Sequence, residues 1–286
     1  MNKLETIKIP GMSAGIKVLD APMIAVYGPE GSGKTRLGAT MPGPIAVIPT
    51  DPKTARTLKP LAAKYKREVI APDKPFITQA EINTYARMDN AKDIEKIKEF
   101  YQKVIWDRIA PMLEAIGSHK GVGSILIDNA SVLYNWVLYA DHGRRTKVPT
   151  FERGVSQQDF TDLLALCRSK PTLLTHHPAK VYKNIVENGK EKGVDTGRIK
   201  PEGSSKLGLL CNAVIETRSI EWKPTICKRE DWDEDGKFKL FVQTCQPRPL
   251  LEGCELELTG EDITWNNLVK TLGLGNAAVD DDDDED

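Results

Sequence analysis

Long apolar runs are missing from this chain of 286 residues. None approaches the roughly 18 residues that a membrane span needs, and Met1-Asn2-Lys3-Leu4-Glu5 lacks the apolar core of a signal peptide. A cytoplasmic protein with no membrane partner is expected. Cysteine is also scarce. The five present, Cys167, Cys211, Cys227, Cys245 and Cys254, are odd in number and nowhere spaced C-x-x-C, which argues against a disulfide framework or a zinc site. Buried free thiols are the expectation, and no internal repeat is visible.

What is present is the profile of a soluble globular protein, 40% hydrophobic and 28% charged. The net charge of −1 hides an asymmetry. Asp280 to Asp286 holds seven of the 41 acidic residues, so the body has 40 basic against 34 acidic residues, net +6. A run of that kind buries nothing and is expected to be disordered. The positive body suits polyanions, and the acidic tail would compete for the same surface.

One stretch carries sharp chemistry. Gly28-Pro29-Glu30-Gly31-Ser32-Gly33-Lys34-Thr35 fills every fixed position of the phosphate-binding pattern G-x-x-x-x-G-K-[ST]. Met23 to Tyr27 ahead of it reads as a buried strand, and Lys34 to Thr40 behind it as a short helix ended by Pro42. Glycines let successive N–H groups point inward, and the helix start adds partial positive charge where a β-phosphate would sit. Lys34 would reach the β- and γ-oxygens, Thr35 would ligate Mg²⁺, and Arg36 closes the motif. ATP and Mg²⁺ are therefore the expected cofactors.

Further along, Ile45 to Ile48 reads as a second buried strand ending at Pro49-Thr50-Asp51-Pro52, and Ala55 to Lys66 as a helix shortened or broken at Pro60. Val69 to Ala71 suggests a short third strand. Apolar residues from Ile94 to Ile116 recur at helical spacing, with Pro111 as a kink or restart. Ser124 to Asp128 is an apolar strand ending in an acid, and Ser131 to Tyr139 is helical. Ser156-Gln157-Gln158-Asp159 resembles a capping box ahead of a helix. Thr172 to Thr175 is a strand ending in His176-His177. Pro178 to Lys206 shows little apolar periodicity and many lysines, so it reads as a long basic loop. Beyond it, Ala213 to Ser219, Thr225 to Lys228 and Lys239 to Thr244 read as strands that extend the sheet by hairpins, and Thr264 to Leu272 as a closing helix capped by Gly273. Ile7-Lys8-Ile9 suggests an edge strand.

Alternation of strands and helices up to about residue 180 implies an α/β fold, a mainly parallel sheet flanked by helices and extended by C-terminal antiparallel strands. The division is a segment at 1–20, a core over 21–262 with an insertion at about 72–118, a closing helix within 263–279 and the tail at 280–286. In such sheets ligands bind beyond the carboxyl ends of the strands, where the glycine loop, Asp51, Asp128 and His176-His177 all fall. Asp128 fits an acid that holds Mg²⁺ directly or through water. Asp51 is the nearest supply of a group to orient or deprotonate water, or else a turn starter. His176 and His177 either sense a γ-phosphate or are structural.

This order of parts resembles the RecA-like family of P-loop ATPases over about residues 20 to 220. The likeness rests on the glycine loop, a second strand ending Thr50-Asp51 where that family shows Thr-Glu, the strand ending Asp128, and a polar sensor after the Thr172 strand. It is most similar to the compact Sak-type single-strand annealing ATPases encoded by bacteriophages. The resemblance implies DNA-contacting loops after the Asp128 and sensor strands, here carrying Arg144, Arg145 and Lys147 and then Lys180 and Lys183. It also implies a ring or filament of identical subunits completed in trans by Arg198, Lys200 or Lys206. Single-stranded DNA is the expected partner, with a single-strand-binding protein as a further one, in the cytoplasm of a phage-infected bacterium. Recombination, annealing or replication is the leading function. The alternatives are a helicase or helicase loader, a small-molecule kinase with the 70–120 segment as lid, and an ATP switch without turnover.

Overall fold

The computed structural model describes residues 21–50, 54–88, 92–144, 148–149, 151–187, 190–219, 238–258 and 262–274. The expected features at Ile7-Lys8-Ile9, Asp51, Arg145, Lys147, Thr225 to Lys228 and the acidic tail lie outside these.

Ten strands are described: β1 Met23–Tyr27, β2 Ile45–Pro49, β3 Val69–Ile70, β4 Ser124–Asp128, β5 Thr172–His176, β6 Pro178–Glu187, β7 Lys190–Pro201, β8 Ala213–Ser219, β9 Phe238–Cys245 and β10 Glu255–Leu256. Eight of them form one sheet in the order β10-β9-β8-β1-β5-β4-β2-β3. From β3 to β8 the pairing is parallel, and β9 and β10 add antiparallel edges. This is the mixed α/β class read from the sequence.

Strand alternation builds a core on each face. Ala25, Tyr27, Ile125, Ile127 and Leu174 point to one side. There they meet α6 (Ala130–His142), α7 (Arg153–Ala165) and the inserted helices α4 (Ile94–Gln102) and α5 (Ala110–Ser118), joined by a π-helical stretch at Lys103–Ile109. Pro111 sits in the first turn of α5, where its missing N–H costs little. Ile24, Val26, Val47, Leu126 and Leu173 point the other way, onto α1 (Lys34–Ala39), α2 (Thr54–Lys64) and α9 (Trp265–Thr271). The closing helix is capped by the Thr264 side chain and locked by the Trp265 N–H donating to Thr40 Oγ1 at 2.8 Å.

The stretch over about 72–118 is also tied down by its own polar contacts. Its first helix, α3 (Gln79–Ala86), has a capping box between Thr78 and Glu81. Arg108 grips Glu81 at 2.7 Å and the Phe76 carbonyl at 2.6 Å, and Tyr85 stacks on Phe100.

Four local expectations change. The α2 helix runs unbroken through Pro60, because Pro60 and Arg56, whose carbonyl loses its helical partner, are both exposed to water while Leu58 and Ala62 pack in the core. Ser156 is no cap, since α7 already begins at Arg153 and the buried Ser156 hydroxyl donates to Asp141 of α6. Cys254 is exposed, whereas Cys167, Cys211 and Cys245 are buried free thiols. Most consequentially, Pro178 to Pro201 is no loop: β6 and β7 pair antiparallel as a sheet of their own, down to Glu187 opposite Lys190.

Candidate functional site

The loop from Gly28 to Gly33 joins the end of β1 to α1. It is held from the side by β8. A Cβ on Gly28 would stand 2.2 Å from the Thr217 carbonyl oxygen, so no side chain fits there. Gly31 and Gly33 take φ of 79° and 83°, a region that favours glycine. Ser32 and Thr217 share a hydroxyl hydrogen bond of 2.6 Å, and Thr217 Oγ1 also lies 3.3 Å from the Tyr27 carbonyl. Pro29 is half-buried in the loop and Glu30 is exposed on its outside.

Lys34 folds over this loop, its Nζ donating to the carbonyls of Gly28 and Pro29 at 2.8 Å each. Burial lowers its pKa to about 8, against the pull of Asp128 and Glu30, which favour the charged form. A desolvated ammonium beside carbonyl oxygens is poised to exchange them for phosphate oxygens, which suit it better. Thr35 follows in the first turn of α1, and Arg36 Nε reaches Tyr65 Oη at 3.4 Å.

Asp128 ends β4 on the same face, as the alternation from Leu126 requires. Its Oδ1 accepts from Thr175 Oγ1 on β5. The backbone beneath is knitted to β2, with the Thr50 N–H donating to the Asp128 carbonyl at 2.9 Å and the Asn129 N–H to Thr50 Oγ1 at 2.7 Å. Lys34, Asp128 and Thr175 are thus gathered over one strand edge. Thr175 was missed in the sequence, although Ile127 pairs with Leu174 and the next residues of two parallel strands must share a face.

The histidines fall elsewhere. His176, next on β5, points to the opposite face and is fully buried. Its Nδ1 lies 3.0 Å from the Glu202 carbonyl and 3.2 Å from Ser131 Oγ. Burial lowers its pKa to about 4, with the Glu202 carbonyl opposing; the ring is neutral at pH 7 and braces the base of the β6–β7 ribbon. His177 is exposed, and its N–H donates to Ser131 Oγ at 3.1 Å.

On this same face Tyr27 Oη, one residue before the glycine loop, reaches the buried Glu216 Oε2 at 3.2 Å. Arg218 donates to the other carboxylate oxygen and lies over Phe241. Burial first, then Glu216, raises the Tyr27 pKa.

The cationic positions are distributed unevenly. Arg144 is half-buried and donates to the Tyr85 carbonyl at 2.8 Å, joining the end of α6 to the insertion. Lys180 is exposed but bridges Asp195 at 2.9 Å. Lys183, Arg198 and Lys200 are exposed on the ribbon and carry no ion pair among the described residues. Lys206 is half-buried at the start of α8 (Leu207–Leu210).

No protein-family model and no curated protein matches the chain. Among solved structures it is similar to the flagellar accessory protein FlaH from Methanocaldococcus jannaschii, with 11% identity, 80% of this chain and 81% of that one covered, and a TM-score of 0.35. That likeness carries nothing about activity.

Proposed function

We propose that this protein binds and hydrolyses ATP with Mg²⁺ on a RecA-like core and uses the turnover on single-stranded DNA, in phage recombination, strand annealing or replication. The observation that carries the reading is the juxtaposition at one sheet edge. Lys34, Asp128 and Thr175 gather around a glycine loop, while a ribbon presenting the exposed Lys183, Arg198 and Lys200 leaves the adjoining strand.

The residues fit a magnesium nucleotide. Loop N–H groups and Lys34 would hold the phosphates, and Thr35 and Asp128 the metal. Bound there, the nucleotide supplies a γ-phosphoryl group open to in-line attack by water. Thr175 fixes the Asp128 carboxylate, and Asp51, beyond the end of β2, is the proposed orienting group for water. The body charge of +6 and Lys183, Arg198 and Lys200, which carry no ion pair among the described residues, support a polyanionic partner. The resemblance in motif order supports the annealing assignment, assembly into a ring or filament, and completion of the site by Arg198, Lys200 or Lys206 of a neighbour.

ATP turnover measured with and without single-stranded DNA tests the proposal. Stimulation by DNA is expected, together with annealing of complementary strands. Turnover indifferent to DNA would sink the DNA assignment, and unwinding of a duplex without annealing would move the protein to the helicases.

A further inference from the structure

On the β6–β7 ribbon, Tyr182, Lys183 and Gly193 to Arg198 are exposed, so these side chains are free to face a ligand. Tyr182 is 59% exposed on β6. Its direct cross-strand partner is Asp195, and the next pair outward on the same face is Asn184 with Gly193. Cross-strand neighbours ordinarily cover an aromatic ring. Here Asp195 is drawn to Lys180 at 2.9 Å, Gly193 has no side chain, and no aromatic ring among the described residues stacks on Tyr182. The ring is therefore an open plane. The ion pair also compensates the one carboxylate beside it, so a phosphate passing Tyr182 meets no net repulsion from Asp195. Lys183, the next residue, faces the other side of the ribbon, exposed and without an ion pair among the described residues.

From this arrangement we infer that Tyr182 is a stacking platform for one base of single-stranded DNA. This rests on the DNA reading above and adds the contact that is not electrostatic. An exposed aromatic plane grips unpaired strands without regard to sequence, because every base has a π-face. Stacking and charge contacts respond differently to salt: the first is largely indifferent to it, and the second releases counterions.

The test is binding of oligothymidylate across a salt series by the full chain, with thermal unfolding as the check that each variant is folded. Tyr182→Ala should weaken binding about tenfold or more at every salt concentration and leave the slope of log affinity against log salt unchanged. Tyr182→Phe, which keeps the ring, should bind like the parent. The inference is overturned if Tyr182→Ala binds as the parent does, or if Tyr182→Phe is as weak as Tyr182→Ala, which would make the hydroxyl the contact. A parent protein that turns over ATP but binds no oligothymidylate at any salt would overturn it together with the DNA reading, so the two failures are distinguishable.

Discussion

The loop from Gly28 to Gly33 and the ribbon from Pro178 to Pro201 leave neighbouring strands, β1 and β5, at the same edge of the sheet. The loop is short and held at several points by its surroundings. Gly28 lies against the Thr217 carbonyl, Ser32 bonds Thr217, and Lys34 is held by two loop carbonyls. The ribbon is long and constrained mainly by its own backbone pairing. Among the described residues its base is gripped, by Ser131, His176 and the antiparallel bond from the Glu202 N–H to the His177 carbonyl at 2.8 Å. A site that must hold one ligand geometry is fixed atom by atom. A surface that meets a flexible polymer needs only to project.

The largest effect should come from breaking the first side of that contrast. Lys34→Ala removes the charge aimed at the phosphates but no core packing, and should lower ATP turnover by about 100-fold or more while the protein stays folded. Turnover retained in this variant would show that the loop is not the site. Asp128→Asn should weaken Mg²⁺-dependent binding and turnover together, whereas Asp51→Asn should lower turnover far more than affinity, since water orientation matters chiefly in the transition state. Thr175→Val deletes only the hydroxyl that steadies Asp128; turnover about tenfold lower with nucleotide binding kept is expected. Equal turnover in Thr175→Val and parent would remove Thr175 from the site.

A smaller effect follows from the desolvated ammonium. In the free protein Lys34 loses its proton as pH rises through about 8, and bound phosphates favour the charged form, so binding above that pH takes up a proton. Affinity for nucleotide should fall about fivefold between pH 8 and pH 9. The free protein moves the opposite way. Because its folded pKa is below the unfolded one, the unfolded chain binds more protons between about pH 8 and 10.5, and this group makes stability rise with pH there. Calorimetry in two buffers of different ionisation enthalpy reads the proton directly; a heat independent of buffer at pH 8.5 would contradict the assignment.

The same contrast decides what could be read from the sequence. The glycine loop was legible because its geometry demands particular residue types at fixed spacing, and β1, β4 and β5 because buried parallel strands read as apolar runs. The ribbon was misread as a loop because consecutive residues such as Tyr182 and Lys183, and Gly193 to Arg198, are all exposed, which leaves no apolar alternation to find there. The available signal was Asn188-Gly189, a hairpin turn pair, between runs that form strands of 10 and 12 residues. The sequence leaves His176 open as sensing or structural, and face parity is the signal that bears on the choice: Asp128 and Thr175 share one face, and His176 takes the other. The start of α7 was misplaced because the partner of Ser156 is Asp141, on another helix, and local spacing carries no trace of it.

The smallest expected effect sharpens the comparison at its joint, the base of the ribbon. Ser131 Oγ is fully buried, donates to the Glu202 carbonyl at 2.7 Å and accepts from the His177 N–H at 3.1 Å. Ser131→Ala leaves that N–H without its hydroxyl partner, while the Glu202 carbonyl keeps His176 Nδ1 at 3.0 Å. The loss should be about 1–2 kcal/mol, nearer the cost of one stranded donor than of two. If the ribbon is a unit held only at its base, that loss should be local. Amide hydrogen exchange should quicken across β6 and β7 and stay unchanged in β1 and α1, with the loop geometry and nucleotide affinity preserved. If exchange instead quickens equally in the glycine loop, then the ribbon base and the phosphate site are one cooperative unit. The separation drawn between them would then fail, and Ser131 would join Lys34 and Asp128 as a residue on which nucleotide binding depends.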